Sequence, residues 1–152
     1  MTLTARALQQ PPERIWTLTG PEALQAYAVF TATHLSGGVS DQLWQRMNSE
    51  AYRMGATLRR RLLIRRQSTA QRLVRLLYRQ IGIDMQFEAD GTLRFNSCYF
   101  SRHYTPAVCR AASALDDGII RGILGLPKGR LHFSRRLTEG CPHCSARIKS
   151  SR

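Results

Sequence analysis

The hydrophobic period of the chain changes at residue 83. Before that point apolar residues recur at helical spacing. From Ile83 onward, Ile83, Met85 and Phe87 alternate with polar residues, as one face of a strand requires. Asp90-Gly91 follows, the dipeptide favoured in a type I′ hairpin turn with positive φ at both central residues, and Leu93 and Phe95 alternate beyond it. This predicts a hairpin over 83–89 and 92–98. The helical period returns through Val108, Cys109, Ala112, Leu115, Ile119 and Ile123, behind a Thr105-Pro106 cap, and predicts a helix over 106–123. Leu131, Phe133, Arg135 and Leu137 alternate as a third strand, and Cys144, Ala146 and Ile148 as a fourth. Two hairpins separated by a helix can join in one antiparallel sheet. The expected class is α+β: a helical layer over 21–81 packed on a sheet built from 83–98 and 130–149.

The helical layer has its own punctuation. Thr19-Gly20-Pro21-Glu22 has the spacing of a capping box, and Ser36-Gly37-Gly38 is a stop, so a helix over 21–35 is predicted. Leu43, Met47, Ala51, Met54, Leu58 and Leu62 draw one apolar stripe, which predicts a helix over 41–66 with Ser40 or Asp41 as cap and with Leu43, Met47, Leu58 and Leu62 buried. Ser68-Thr69-Ala70-Gln71 is a second capping box, and Leu73, Val74, Leu77 and Ile81 give a helix over 69–81 ending at Gly82. Gly118 and Gly122, one turn apart, allow another backbone to come close. A length of 152 residues suits one domain, taken as 19–149, behind an irregular arm over 1–18. No apolar run reaches the length of a membrane span, and the first residues lack the apolar core of a secretory signal, so a cytoplasmic location is expected.

Charge is concentrated. The chain carries 23 Lys+Arg against 10 Asp+Glu, and residues 46–79 alone hold ten arginines and a single acid, Glu50. Arginine forks match phosphate and carboxylate, so the Arg-rich helices are candidates for nucleic acid, an acidic partner protein or a lipid surface. Against nucleic acid, the stacking aromatics of this stretch are only Tyr52 and Tyr78, and the arginines surround an apolar stripe, as on a solvated helix. A homodimer is among the partners such a chain allows.

All four cysteines lie in the last third. Cys141-Pro142-His143-Cys144 is a Cys-x-x-Cys in a turn, a spacing that can chelate a tetrahedral metal, and the strand pattern on both sides argues against a thioredoxin-like redox site. Cys98 ends the second strand and Cys109 lies early in the following helix. Should these elements converge, Cys98, Cys109, Cys141 and Cys144 would suit a zinc ion or an iron–sulfur cluster, with His103 or His143 able to replace one sulfur. The plainer alternative is that Cys98 and Cys109 are small buried apolar residues. Asp116 and Asp117 are candidate bases if an open metal site activates water, although an Asp-Asp-Gly stretch on a helix is ordinarily a solvated face. His34 and His132 stand alone and carry no assignment.

Four features occur in a familiar order: Ala51-Tyr52-Arg53-Met54-Gly55; Cys98-Tyr99-Phe100; Cys109 followed by Gly118 and Gly122; and Leu137-Thr138-Glu139-Gly140-Cys141-Pro142-His143-Cys144-Ser145-Ala146-Arg147-Ile148. In these features residues 50–148 resemble the 4-vinyl-reductase-like domain and its relative, the L-2-amino-thiazoline-4-carboxylate hydrolase family. The resemblance implies an apolar pocket between helices and sheet that binds a small organic molecule. It also implies a metal near that pocket, held by Cys109, Cys141 and Cys144 with Glu139 or Cys98 as fourth ligand. A hydrolase of the amino-thiazoline-carboxylate type is the enzymatic alternative.

Overall fold

The computed structural model describes residues 20–150, which form α1 (Gly20–His34), α2 (Asp41–Arg61), α3 (Gln67–Gln80), β1 (Ile83–Phe87), β2 (Leu93–Cys98), α4 (Pro106–Leu124), β3 (Arg130–Arg135) and β4 (Cys144–Lys149). Single 3₁₀ turns lie at Tyr99–Arg102 and Leu137–Glu139. The expected arm over 1–18 and the Thr19 cap fall outside these residues. The four strands make one antiparallel sheet in the order β1-β2-β4-β3, so the two hairpins join through β2 and β4. Its inner face is the alternating set Ile83, Met85, Leu93, Phe95, Leu131, Cys144 and Ala146, all buried, while Asp84, Asn96, His132 and Arg147 point to solvent. The class is α+β, as the change of period predicts.

The capping signals of α4 act where they stand. Thr105 accepts a hydrogen bond from the Val108 N–H at 3.3 Å, Pro106 occupies the first turn, and Gly125 closes the helix in the left-handed conformation at φ 71°. The hairpin turn differs from the type I′ expectation. Glu88 and Thr92 pair, with the Glu88 N–H on the Thr92 carbonyl at 2.8 Å, leaving a three-residue loop. Positive φ is needed only at Gly91, and the Asp90 carboxylate instead accepts from the Thr92 N–H at 2.9 Å.

Three expectations for the helical layer are corrected. First, α2 ends at Arg61 rather than 66. Leu63 turns left-handed at φ 52°, which drops Ile64 into the core and turns the chain toward α3. Second, α3 starts at Gln67 behind Arg66 with no side-chain cap, so Ser68 lies inside the first turn and its capping box is unused. Third, the stripe on α2 shares only Ala51 with the packed face. Leu43, Met47 and Leu58 are only half-buried, Met54 is 60% exposed and Leu62 53% exposed. The packed face is Asn48, Ala51, Tyr52 and Gly55, and it lies on α4 in the most extensive inter-element contact of the fold.

Small residues set that contact. A Cβ on Gly55 would lie 2.5 Å from the Ile119 carbonyl oxygen, and Cβ atoms on Gly118 and Gly122 would meet the carbonyl oxygens of Asn48 and Tyr52 more closely still. The close approach also seats a polar network, which corrects the expectation that Asp117 is solvated. Asp117 is 2% exposed. Its carboxylate accepts from Arg121 Nε at 2.8 Å, the Leu131 N–H at 2.6 Å and Asn48 Nδ2 at 2.6 Å. Arg121 donates onward to Asn48 Oδ1 at 3.0 Å and to the Leu126 and Pro127 carbonyls. The network ties α2, α4 and β3 at one point. Breaking such a buried pair by removing one partner leaves an uncompensated charge, a loss of ~3–5 kcal/mol.

Candidate functional site: an apolar cavity beneath the fourth helix

The α2–α4 contact uses the glycine side of α4. Another side faces a cavity of about 450 Å³. Met54, Gly55 and Leu58 of α2, Leu77 and Tyr78 of α3, and Ala112, Leu115 and Ile119 of α4 form its walls, with Ile83, Cys98, Phe100 and Leu137 from the sheet and its turns. The lining is overwhelmingly apolar, because strand alternation and the α3 and α4 stripes all aim carbon inward. An apolar concavity with few polar groups is the usual form of a small-molecule site.

The polar groups are few and placed. Asp116, expected to be solvated, faces this space. Its Oδ1 accepts from the Tyr78 hydroxyl at 2.7 Å, and no hydrogen bond reaches its Oδ2 among the described residues. Burial raises the Asp116 carboxyl above its ordinary range, and the neighbouring Asp117 charge adds to this; the Tyr78 hydrogen bond and the Arg136 guanidinium pull it back. Burial also raises the Tyr78 phenol well above its ordinary value, with Asp116 adding to it, so Tyr78 remains the donor of the pair. Tyr27 and Tyr104, likewise raised by burial, stand on the lining, and Thr138 adds a buried hydroxyl without a hydrogen-bond partner among the described residues.

The cysteines divide. Cys98, Cys109 and Cys144 line the cavity, and Cys141 does not. All four are free thiols. Burial pushes the Cys98 thiol up to about 12 and raises Cys144 as well, so both stand protonated at neutral pH. The Leu137 N–H donates to Cys144 Sγ at 3.2 Å, and Arg136 Nη1 lies 3.6 Å from Cys109 Sγ while donating to Ser113 Oγ at 2.7 Å. Glu139, implied as a ligand by the resemblance, pairs on the surface with Arg110 at 2.7 Å. His103 packs on the Tyr99 ring. Among the described residues no three His, Cys, Asp or Glu side chains are grouped to hold a metal ion. The donor set expected for zinc or an iron–sulfur cluster is therefore not gathered at one point: Cys98, Cys109 and Cys144 line the cavity without grouping to hold an ion, and Cys141 lies off its lining.

Two features had weak signals in the sequence. Asp117 and Arg121 stand one helical turn apart, the spacing of an intrahelical pair. Asn48, a polar residue in the middle of α2, is their partner. The Tyr78–Asp116 bond joins residues 38 apart in sequence and had no local signal. No protein-family model matches the chain, and no curated protein or solved structure matches it. No helix among the described residues is long and apolar enough to cross a membrane.

Proposed function

We propose that the protein is a small-molecule-binding domain of the 4-vinyl-reductase-like type, whose cavity takes a largely apolar organic molecule carrying one hydrogen-bond donor. One observation carries the reading: a 450 Å³ apolar cavity whose wall presents the Asp116 carboxyl, held on one oxygen by Tyr78 and unpaired on the other among the described residues. A cavity of roughly 150 Å³ already takes a benzene ring, so this one has room for a fused aromatic or terpenoid skeleton. Apolar burial would supply most of the affinity, and Asp116 Oδ2 and Thr138 Oγ1 would reward a correctly placed donor or acceptor. The order of helices, hairpin, helix and hairpin supports the family likeness, and the binding reading does not need a metal.

Thermal unfolding of the protein with naphthalene-methanol and with methylnaphthalene tests this reading. The two share a skeleton and differ in the hydroxyl. Both should raise the midpoint, the alcohol more, and Asp116→Ala should remove the difference between them. No shift with either, or an advantage of the alcohol that survives Asp116→Ala, would refute the reading.

A further inference from the structure

The corner between α2 and α3 carries the residues Arg59-Arg60-Arg61-Leu62-Leu63-Ile64-Arg65-Arg66. Ile64 is buried and Arg59 donates to the Ile123 carbonyl at 2.8 Å, so these two hold the corner to the body of the fold. The rest faces outward. Leu63 is 79% exposed and Leu62 53% exposed, with Arg60, Arg61, Arg65 and Arg66 exposed around them. The chain has no carboxylate between Glu50 and Asp84, and among the described residues Arg53 is the one arginine of this stretch in an ion pair, with Glu50. Arg72, Arg75 and Arg79 of α3 extend the same uncompensated charge.

Leu63 also holds the left-handed φ of 52°, a conformation that disfavours a leucine. The fold thus bears two costs at one residue, a strained backbone and a leucine in water. The backbone turn serves Ile64, which it seats in the core, whereas nothing among the described residues covers the Leu63 side chain. An arginine surface alone would suit any polyanion. Two leucines projecting from its centre do not serve a phosphate backbone, and they do serve a boundary where phosphate lies above hydrocarbon.

We infer that the α2–α3 corner docks on an anionic membrane surface, with Arg60, Arg61, Arg65 and Arg66 on the lipid phosphates and Leu62 and Leu63 inserted into the acyl boundary. Guanidinium forks bind phosphate oxygens in pairs, and exposed leucines ringed by basic residues are the composition of interfacial anchors. The attraction is screened by salt, and the leucine insertion is not.

Sedimentation of the full chain with vesicles tests this. Phosphatidylcholine vesicles are compared with vesicles in which about a third of the lipid is phosphatidylglycerol. The chain should sediment with the anionic vesicles and remain in solution with the neutral ones. Leu62→Ser together with Leu63→Ser should weaken the partitioning by more than about tenfold with the unfolding midpoint unchanged or raised. Arg60→Gln, Arg61→Gln, Arg65→Gln and Arg66→Gln together should abolish it. Vesicle binding that ignores the leucine variant would overturn the inference and leave a general polyanion surface. So would a duplex oligonucleotide that competes fully with the vesicles at equal charge. A dimer in vesicle-free sedimentation that the leucine variant dissolves would assign the leucines to a second copy of the chain and overturn it as well.

Discussion

Asp116 and Asp117 are adjacent in the chain, about 100° apart around α4, and that rotation gives them opposite surroundings. Asp117 meets Arg121, Asn48 and the Leu131 N–H, and its two oxygens accept from all three. Asp116 meets the apolar cavity and one phenol, and burial raises its carboxyl. A carboxyl whose folded value is raised binds its proton longer in the native state than in the unfolded chain. Its contribution is present in full below the ordinary carboxylate value near 3.8 and is lost as pH rises through the raised folded value. Urea unfolding across that range should show stability falling with pH, and Asp116→Asn should flatten the fall. Tyr78→Phe removes the donor that favours the ionised form, so the Asp116 carboxyl should titrate at higher pH still, read by carbon-13 NMR of the carboxyl. Equal slopes in the parent and in Asp116→Asn would contradict the placement of Asp116, since the lowered Asp90 carboxyl contributes with the opposite sign to both profiles. The Asp-Asp-Gly triplet suggested a solvated face because charge was the only property visible. Which carboxylate found a partner depended on Asn48 and Leu131, far away in the chain.

At the scale of elements, the signals that held were local ones. Thr105 and Pro106 start α4 where they stand, because a cap satisfies donors within its own turn. The end of α2 was not legible, since it depends on Ile64 finding the core and on Leu63 accepting a left-handed φ. The stripe on α2 misled for a related reason. Helical period finds large apolar residues, whereas the face that packs on α4 is made of small ones, Ala51 and Gly55 against Gly118 and Gly122. The spacing of Gly118 and Gly122 was visible, and its partner was not. Gly118→Ala tests the close contact. Its new Cβ would fall among the Asn48 and Tyr52 backbone atoms, which belong to a helix and cannot yield cheaply. Chemical denaturation should show a loss of about 1–3 kcal/mol, the usual cost of overpacking. Gly37→Ala is the control. Nothing lies within 4 Å of its added Cβ, so it should be neutral or stabilise by a few tenths of a kcal/mol, about what reduced unfolded-chain freedom provides. Equal losses at both sites would mean that the helices are not in contact through Gly118.

For the molecule as a whole, the informative feature is what the core leaves unfilled. Antiparallel pairing and the α+β class could be read from alternation and turns, but a cavity is the difference between the space elements enclose and the volume their side chains occupy, and no local pattern reports it. Chains ordinarily fill such space, since unfilled volume forfeits dispersion contacts and stability. Keeping about 450 Å³ open between α2, α3 and α4 is therefore expected to cost stability that a ligand restores. Ala112→Leu places a larger apolar side chain on that wall. With no ligand it should stabilise the fold by about 1 kcal/mol, the usual yield of cavity filling. The parent protein should gain ~2.7 kcal/mol from a ligand at a hundred times its dissociation constant. The Ala112→Leu variant should gain much less, because the occupied volume no longer admits the ligand. Calorimetry of both proteins, with and without naphthalene-methanol, separates the alternatives. A variant that is destabilised without ligand would mean that the space is already closed in solution. A variant that is stabilised and still gains the full ligand increment would place the binding site elsewhere on the molecule.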